Sequence, residues 1–358
     1  MKQILQEWFQ RNFSDPQAVI LALMLIIGFG IVMIMGDILA PLIASIIIAY
    51  LLEGAIAKLE NFGVRRMLVV LLVFVLFLLV LFTTVLGLIP VLSRQIAQLV
   101  REMPNMISKG QEELLQLPIS YPNLVSETQI KEVINALRTQ LLEQGQDVLT
   151  QGILSLPGII SLLIYLILVP FLVFFFLKDK SVILDWAKNY LPRRRELATR
   201  VWQEMDQQIG NYVRGKILEI IIVGGVSYIV LALFGMRYSM LLGALIGISV
   251  LVPYLGAVVV TFPVVLIAYF QWGSSNEFWY LILAYTIIQS LDGNVLVPLL
   301  FSEAVNLHPL AIIVAVLFFG GIWGMWGIFF AIPLATLVKA VLNAWPRPEL
   351  TAEPAAPG

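Results

Sequence analysis

The chain has 358 residues, 60% of them hydrophobic and only 13% charged. Its mean hydropathy of +0.93 is far above that of a soluble globular protein and marks a polytopic membrane protein. A net charge of −1 at pH 7 offers no basic field for nucleic acid. The absence of cysteine excludes disulfides, iron–sulfur clusters and thiolate metal sites, and no cofactor is expected.

Residues 1–17 carry Lys2, Glu7, Trp8, Arg11 and Asp15. They read as an amphipathic interfacial lead-in, without the basic start and small-residue cleavage site of a signal peptide. Apolar spans follow at 18–36, 38–57 and 67–90, each near the roughly 20 helical residues that cross a bilayer core of about 30 Å. Gly36-Asp37 separates the first two, and a polar link with Lys58, Arg65 and Arg66 separates the second two.

The next segment, 91–150, is mostly polar. Ile96, Leu99, Val100, Met103 and Ile107 recur there at helical spacing, as do Ile130, Val133, Ile134, Leu137 and Leu141. Pro104, Pro118 and Pro122 predict a division into short helices. The apolar stripes read as surface packing or as contact with a partner or a second copy.

A fourth span, within 151–177, passes Pro170 and exits at Lys178-Asp179-Lys180. The 178–215 link is basic, with Lys188, Arg193, Arg194, Arg195, Arg200 and Arg214. The positive-inside rule assigns this link and the one around Lys58–Arg66 to the cytoplasm. Counting crossings then puts the amino terminus inside and the 91–150 segment outside. Leu197, Val201, Met205, Ile209 and Tyr212 form one apolar stripe, predicting a helix along the inner membrane face.

Spans at 216–235, 239–270, 278–300 and 308–343 complete about eight nominal crossings in an all-α chain, before a disordered tail at 344–358. At about 50 Å as straight helices, the spans at 239–270 and 308–343 exceed the hydrocarbon core. Pro253, Gly256 and Pro263 interrupt one, and Gly320, Gly321, Gly324, Gly327 and Pro333 the other. Each is either a bent crossing or a re-entrant hairpin, and charge does not decide, because 271–277 holds no lysine or arginine.

Asp292, Asn294, Glu303 and His308, the only histidine, cluster between Leu291 and Pro309. A carboxylate at mid-bilayer costs roughly 3 kcal/mol on insertion scales, so such a residue faces a bundle interior, a partner or a watery path. Asp292 is therefore the first functional candidate, the alternative being a cap or turn at the membrane surface. Asn294 supplies both donor and acceptor, and Gln289, a turn earlier, either lines the same face or makes an interhelical hydrogen bond. Glu303 and His308 read as surface residues at a span boundary, and Glu53 and Glu219 as interface positions. The Val252–Gly256 run, with Pro253 and Tyr254, offers either backbone carbonyls to a hydrated solute or a simple kink. The glycine-rich run Gly320–Gly327 reads as a packing surface or an unwound hinge. No His-Glu-x-x-His, Walker motif or second intramembrane aspartate is present, so the chain is read as a non-enzyme driven by gradients or by a partner.

The most specific runs are Phe174-Phe-Phe-Leu-Lys-Asp179, Tyr212-Val-Arg-Gly-Lys216, Val252-Pro-Tyr-Leu-Gly256, Asp292-Gly-Asn-Val-Leu-Val-Pro298, Leu307-His-Pro-Leu310 and Gly324-Met-Trp-Gly-Ile-Phe-Phe-Ala-Ile-Pro-Leu334. Together they make the chain resemble the autoinducer-2 exporter family, also called PerM-like permeases, over nearly its whole length. The resemblance implies a bacterial inner-membrane transporter of about eight spans that assembles as a homo-oligomer, a pentamer among the arrangements. Its partners are the lipid bilayer and a small polar solute or coupling ion. The family often carries glutamate where this chain has Asp292. The expected pathway comprises Asp292, Asn294, Gln289, Pro253, Tyr254, Gly256 and Pro298, with Gly320, Gly321, Gly324, Gly327 and Pro333 as hinge or packing positions. A sodium/proton antiporter and a membrane scaffold acting through 91–150 are the alternatives.

Overall fold

The computed structural model describes residues 16–120, 156–190, 196–253, 255–301 and 307–344, and among them every regular element is helical. In chain order these are α1 (Pro16–Glu60), α2 (Arg66–Thr83), a π-helical turn (Thr84–Leu88), α3 (Ile89–Ser120), α4 (Leu156–Lys178), α5 (Lys180–Tyr190), α6 (Glu196–Leu233), α7 (Ser239–Ser249), α8 (Leu255–Trp272), α9 (Asn276–Leu291), a second π-helical turn (Asp292–Leu296), α10 (Val297–Phe301), α11 (Pro309–Trp323) and α12 (Met325–Ala344). Among the described residues seven stretches are long and apolar enough to cross a bilayer, and α4, bent by 80° from the helix that follows it, brings the number up to eight. The chain forms two compact units, one of Met1–Leu51, Asp179–Ile217 and Val297–Gly358, the other of Leu52–Lys178 and Leu218–Leu296.

In the first unit, α1 holds both expected amino-terminal spans, Val19–Gly36 and Ile38–Glu60, in one 45-residue run. The Gln17 side-chain oxygen accepts from the Leu197 amide at 3.2 Å, and the Tyr50 hydroxyl donates to the Asp206 carboxylate at 2.8 Å. Gln17 and Tyr50 would stand about 50 Å apart on a straight helix, whereas their partners on α6 are about 14 Å apart. Side-chain reach cannot close that difference, so α1 is sharply bent between the two contacts. The Gly36-Asp37 break survives as a bend within one helical run.

The apolar stripe of the basic link is covered by other helices. Leu197 and Val201 are buried with Leu21 and Ala340, and Tyr212 and Val213 with Ile332. The part of the link from Glu196 onward and the fifth span form the single 38-residue helix α6, because nothing between Glu196 and Leu233 breaks helical hydrogen bonding. Its stripe is satisfied by α1 and α12.

The last apolar stretch is a hairpin. Gly324, with φ 58° and ψ −133°, adopts a left-handed φ that a side chain rarely takes. A methyl on Gly320 would meet Ile328 at 2.8 Å, and one on Gly327 would collide with the Phe319 carbonyl. These pairs are nearly symmetric about Gly324, so α11 and α12 pack antiparallel.

In the second unit, α2, the π turn and the start of α3 extend without interruption over Arg66–Glu112, 47 residues. That is about 70 Å, more than twice the hydrocarbon core. Contrary to the division expected at its prolines, α3 runs through Pro104 and Pro118. Pro104 is exposed, so the carbonyl its ring leaves without an amide faces out of the protein, and Ser108 Oγ donates to the Pro104 carbonyl at 3.0 Å. Pro122 and the 130–141 stripe lie outside the described residues.

Leu92, Ile96, Leu99 and Met106 of α3 pack on a core of Val223, Leu242, Ile246, Val264, Leu281 and their neighbours. At the other end of α2, Arg66 binds Glu53 at 3.1 Å and Glu60 at 3.2 Å and donates to the Leu177 carbonyl at 3.1 Å. The 58–66 link and the end of α4 therefore share one end of this unit, as the charge pattern requires.

Candidate functional site

The second unit contains the other hairpin. α7 has 11 residues, a rise of about 16 Å or half a bilayer core. It packs against α6 through glycines: a methyl on Gly243 would fall 2.7 Å from Tyr228 Cβ, and one on Gly247 2.8 Å from the Ile220 carbonyl. At the foot, the Arg237 amide donates to Gln271 Oε1 at 2.8 Å, and Gln271 Nε2 donates to the Gly235 carbonyl at 2.9 Å. Start and finish of the α7–α8 pair are thus tied together, and 239–270 is a hairpin rather than one long crossing.

At its tip, residues 250–253 are non-helical and half-buried, apart from the buried Val250. Local turns take up the amides: Leu251 donates to Ile248 at 3.1 Å, Val252 to Ser249 at 3.0 Å, Leu255 to Pro253 at 2.7 Å and Gly256 to Val252 at 2.9 Å. Gly256 is buried, and any Cβ there would collide with the Ser249 carbonyl. Glycine is required for the two arms to meet. Tyr254 lies outside the described residues.

A hydrogen-bond chain joins this hairpin to α9. Thr261 Oγ1 donates to the Ala257 carbonyl at 2.7 Å, so at 2.8 Å it accepts from Tyr285, whose oxygen in turn accepts from Gln289 Nε2 at 2.7 Å. Each hydroxyl has one proton, which fixes the direction from Gln289 through buried Tyr285 to α8. Three residues past Gln289, α9 gives way to the π turn that begins at Asp292. Asp292 is half-buried, and Asn294 is exposed, its Nδ2 donating to the Ser290 carbonyl at 2.8 Å. π turns inside helices cluster at functional sites. Gln289, Asp292 and Asn294 thus share one helical segment, linked by hydrogen bonds to the arm that carries Gly256.

The remaining candidates belong to the first unit. Pro298 is exposed in α10, Pro333 is buried inside α12, and Gly321 has open space around it. Gly320, Gly324 and Gly327 build the α11–α12 turn. His308 is the N-cap of α11, its Nδ1 accepting from the Leu310 amide at 3.2 Å. Glu303 lies outside the described residues.

Sequence reasoning missed two features. Glu219, read at an interface, is 2% exposed and Lys216 5%, and Lys216 Nζ stands 5.2 Å from the Phe301 ring centre. In a helix apolar on all sides, hydropathy does not reveal which face other helices cover. The second is a polar cleft of about 530 Å³ lined by Glu102, Asn105, Lys109, Glu112, Arg237 and Phe270 among others. Arg237 pairs with Glu102 there at 3.4 Å. Beside them, burial of the Tyr238 hydroxyl pushes its pKa up to about 12, with Glu102 acting in the same direction and Arg237 against it.

Two antiparallel helical hairpins, one closed by a non-helical turn, among long apolar helices define a polytopic membrane protein built from broken helices. The profile of the AI-2E family transporters matches residues 19–347, and the chain belongs to that family. It is 47% identical over 353 residues to the "Putative permease PerM" of Escherichia coli strain K12, covering 99% of this chain and all of that protein. Two Bacillus subtilis proteins, each named a "Putative transport protein", are more distant: YueF at 26% over 308 residues, covering 84% of this chain and 81% of that protein, and YrrI at 27% over 315, covering 87% of each.

Proposed function

We propose that this protein is a secondary transporter that exports a small hydrophilic solute, of the autoinducer-2 kind, across the bacterial inner membrane by alternating access, without catalysing a reaction. The observation that carries the reading is the α7–α8 hairpin. Its tip is irregular backbone among apolar helices, its feet are tied at Arg237 and Gln271, and its arm is bonded to the segment bearing Asp292. Irregular backbone at membrane depth is tolerated where protein or a watery cavity shelters it, and discontinuous helices mark the binding sites of transporters. Pro253, Gly256, Gln289, Asp292 and Asn294 are the route residues in this reading, and Asp292 supplies its charge. Both termini and the basic link face the cytoplasm, and copies assemble as a homo-oligomer.

A half-buried carboxylate at a π turn equally suits a shared proton and sodium site, which makes a sodium/proton antiporter the second reading. Purified protein in sealed liposomes separates the two. The first reading expects efflux of loaded autoinducer-2, and the second expects sodium-driven proton flux reported by an internal pH dye. Asp292→Asn abolishes the flux in either case. Neither flux from correctly inserted protein refutes both and leaves the scaffold.

A further inference from the structure

Helix α5 follows the apolar α4 after the single residue Asp179, and both its polar face and an apolar stripe are exposed. Val182, Trp186 and Tyr190, at helical spacing, are 67%, 63% and 74% exposed, and the Trp186 and Tyr190 rings contact each other at 5.0 Å. Ser181, Asp185 and Lys188 occupy an adjoining face, also exposed, with Lys188 paired to Asp185 at 2.8 Å.

We propose that α5 is a docking helix for anionic phospholipid, lying in the headgroup region of the leaflet at which α4 ends. Three observations favour lipid over another occupant. The chain's covalent path leaves α5 no distance from the bilayer surface, since only Asp179 separates it from a membrane span. The exposed stripe is built of tryptophan, tyrosine and valine, the amphipathic aromatics being those that favour the membrane–water boundary. The charge is complementary: Lys178, Lys180 and Lys188 on or beside α5 are followed at once by Arg193, Arg194 and Arg195, and basic residues next to a span attract anionic headgroups.

The chain has no cysteine, so single cysteines at each position from Ser181 to Tyr190 can carry spin labels in the full-length protein. In liposomes containing phosphatidylglycerol, accessibility to oxygen peaks at Val182, Trp186 and Tyr190. Accessibility to a water-soluble nickel complex peaks at Ser181, Asp185 and Lys188. Pure phosphatidylcholine weakens this contrast several-fold, and so does the paired change Lys180→Gln with Lys188→Gln in phosphatidylglycerol. A label at Trp186 shielded from both reagents overturns the proposal in favour of a protein partner or a second copy. A label there open mainly to nickel also overturns it, and an unchanged profile in phosphatidylcholine overturns its anionic specificity. None of these readouts depends on transport, so the proposal stands or falls apart from the transport reading.

Discussion

Gly256 and Gly321 show how differently two glycines of one chain are constrained. Gly256→Ala drives a methyl group into the Ser249 carbonyl. Since backbone cannot swing away as a side chain does, it costs at least about 1–3 kcal/mol. Gly321→Ala meets open space inside α11 and is neutral or stabilising by up to about 1 kcal/mol. Thermal unfolding in detergent, with the two variants side by side, checks the contrast. Tyr285→Phe leaves the Gln289 amide and Thr261 oxygen of the relay without their shared hydroxyl and costs about 1–3 kcal/mol in the same assay. Gln289→Leu, which trims only the end of the chain, costs less. At Tyr238 the pKa is raised from 10.0 to about 12, so the folded state favours the protonated phenol. Its contribution to stability is fully present below pH 10 and is lost as pH rises through about 12. Tyrosinate absorbance during alkaline titration should lose one late-ionising group in Tyr238→Phe.

At this scale the sequence pointed to Gln289, Asp292 and Gly256, because polar or breaker residues stand out against an oily background. It did not reveal that Gln289 reaches α8 through Tyr285, nor that Glu219 is buried. Both depend on which helix faces which, and that is not written in hydropathy once every face is apolar.

Among the elements, α1 carries the least obvious consequence. Were it straight, spin labels at Gln17 and Tyr50 would be about 50 Å apart. With the packing of Leu21 and of Ile47 and Leu51 on α6 still holding both ends, electron–electron distance measurements on the double-cysteine variant give under about 30 Å, and a value near 50 Å would contradict the bend. The two overlong spans were legible as problems of length, and their solution as hairpins was not, since the 271–277 link has no charge to orient it. Geometry resolved them: Gln271 capping the turn at Gly235, and contacts symmetric about Gly324. The prolines of α3 misled in the other direction. Pro104 signals a break only where its orphaned carbonyl is buried, and here the residue is exposed. The basic-link helix misled similarly, since an amphipathic stripe suits a membrane face and a protein face equally well.

For the molecule as a whole, the number of spans and the helical class followed from composition, because a bilayer fixes how long and how apolar a crossing helix must be. The two compact units did not, since each is assembled from three or two separated pieces of chain. The chain passes between them at Leu51–Leu52, Lys178–Asp179, Ile217–Leu218 and Leu296–Val297. The last of these follows directly on the π turn of Asp292.

The most direct test of this account is whether water reaches the tip of the α7–α8 hairpin. In sealed vesicles of the otherwise cysteine-free protein, Val252→Cys should react with a membrane-impermeant thiol reagent, while Val258→Cys and Phe262→Cys, at positions 71% and 70% exposed on α8, should react only with a lipophilic one. A Val252→Cys protein that the water-soluble reagent cannot label from either side of the membrane would contradict it.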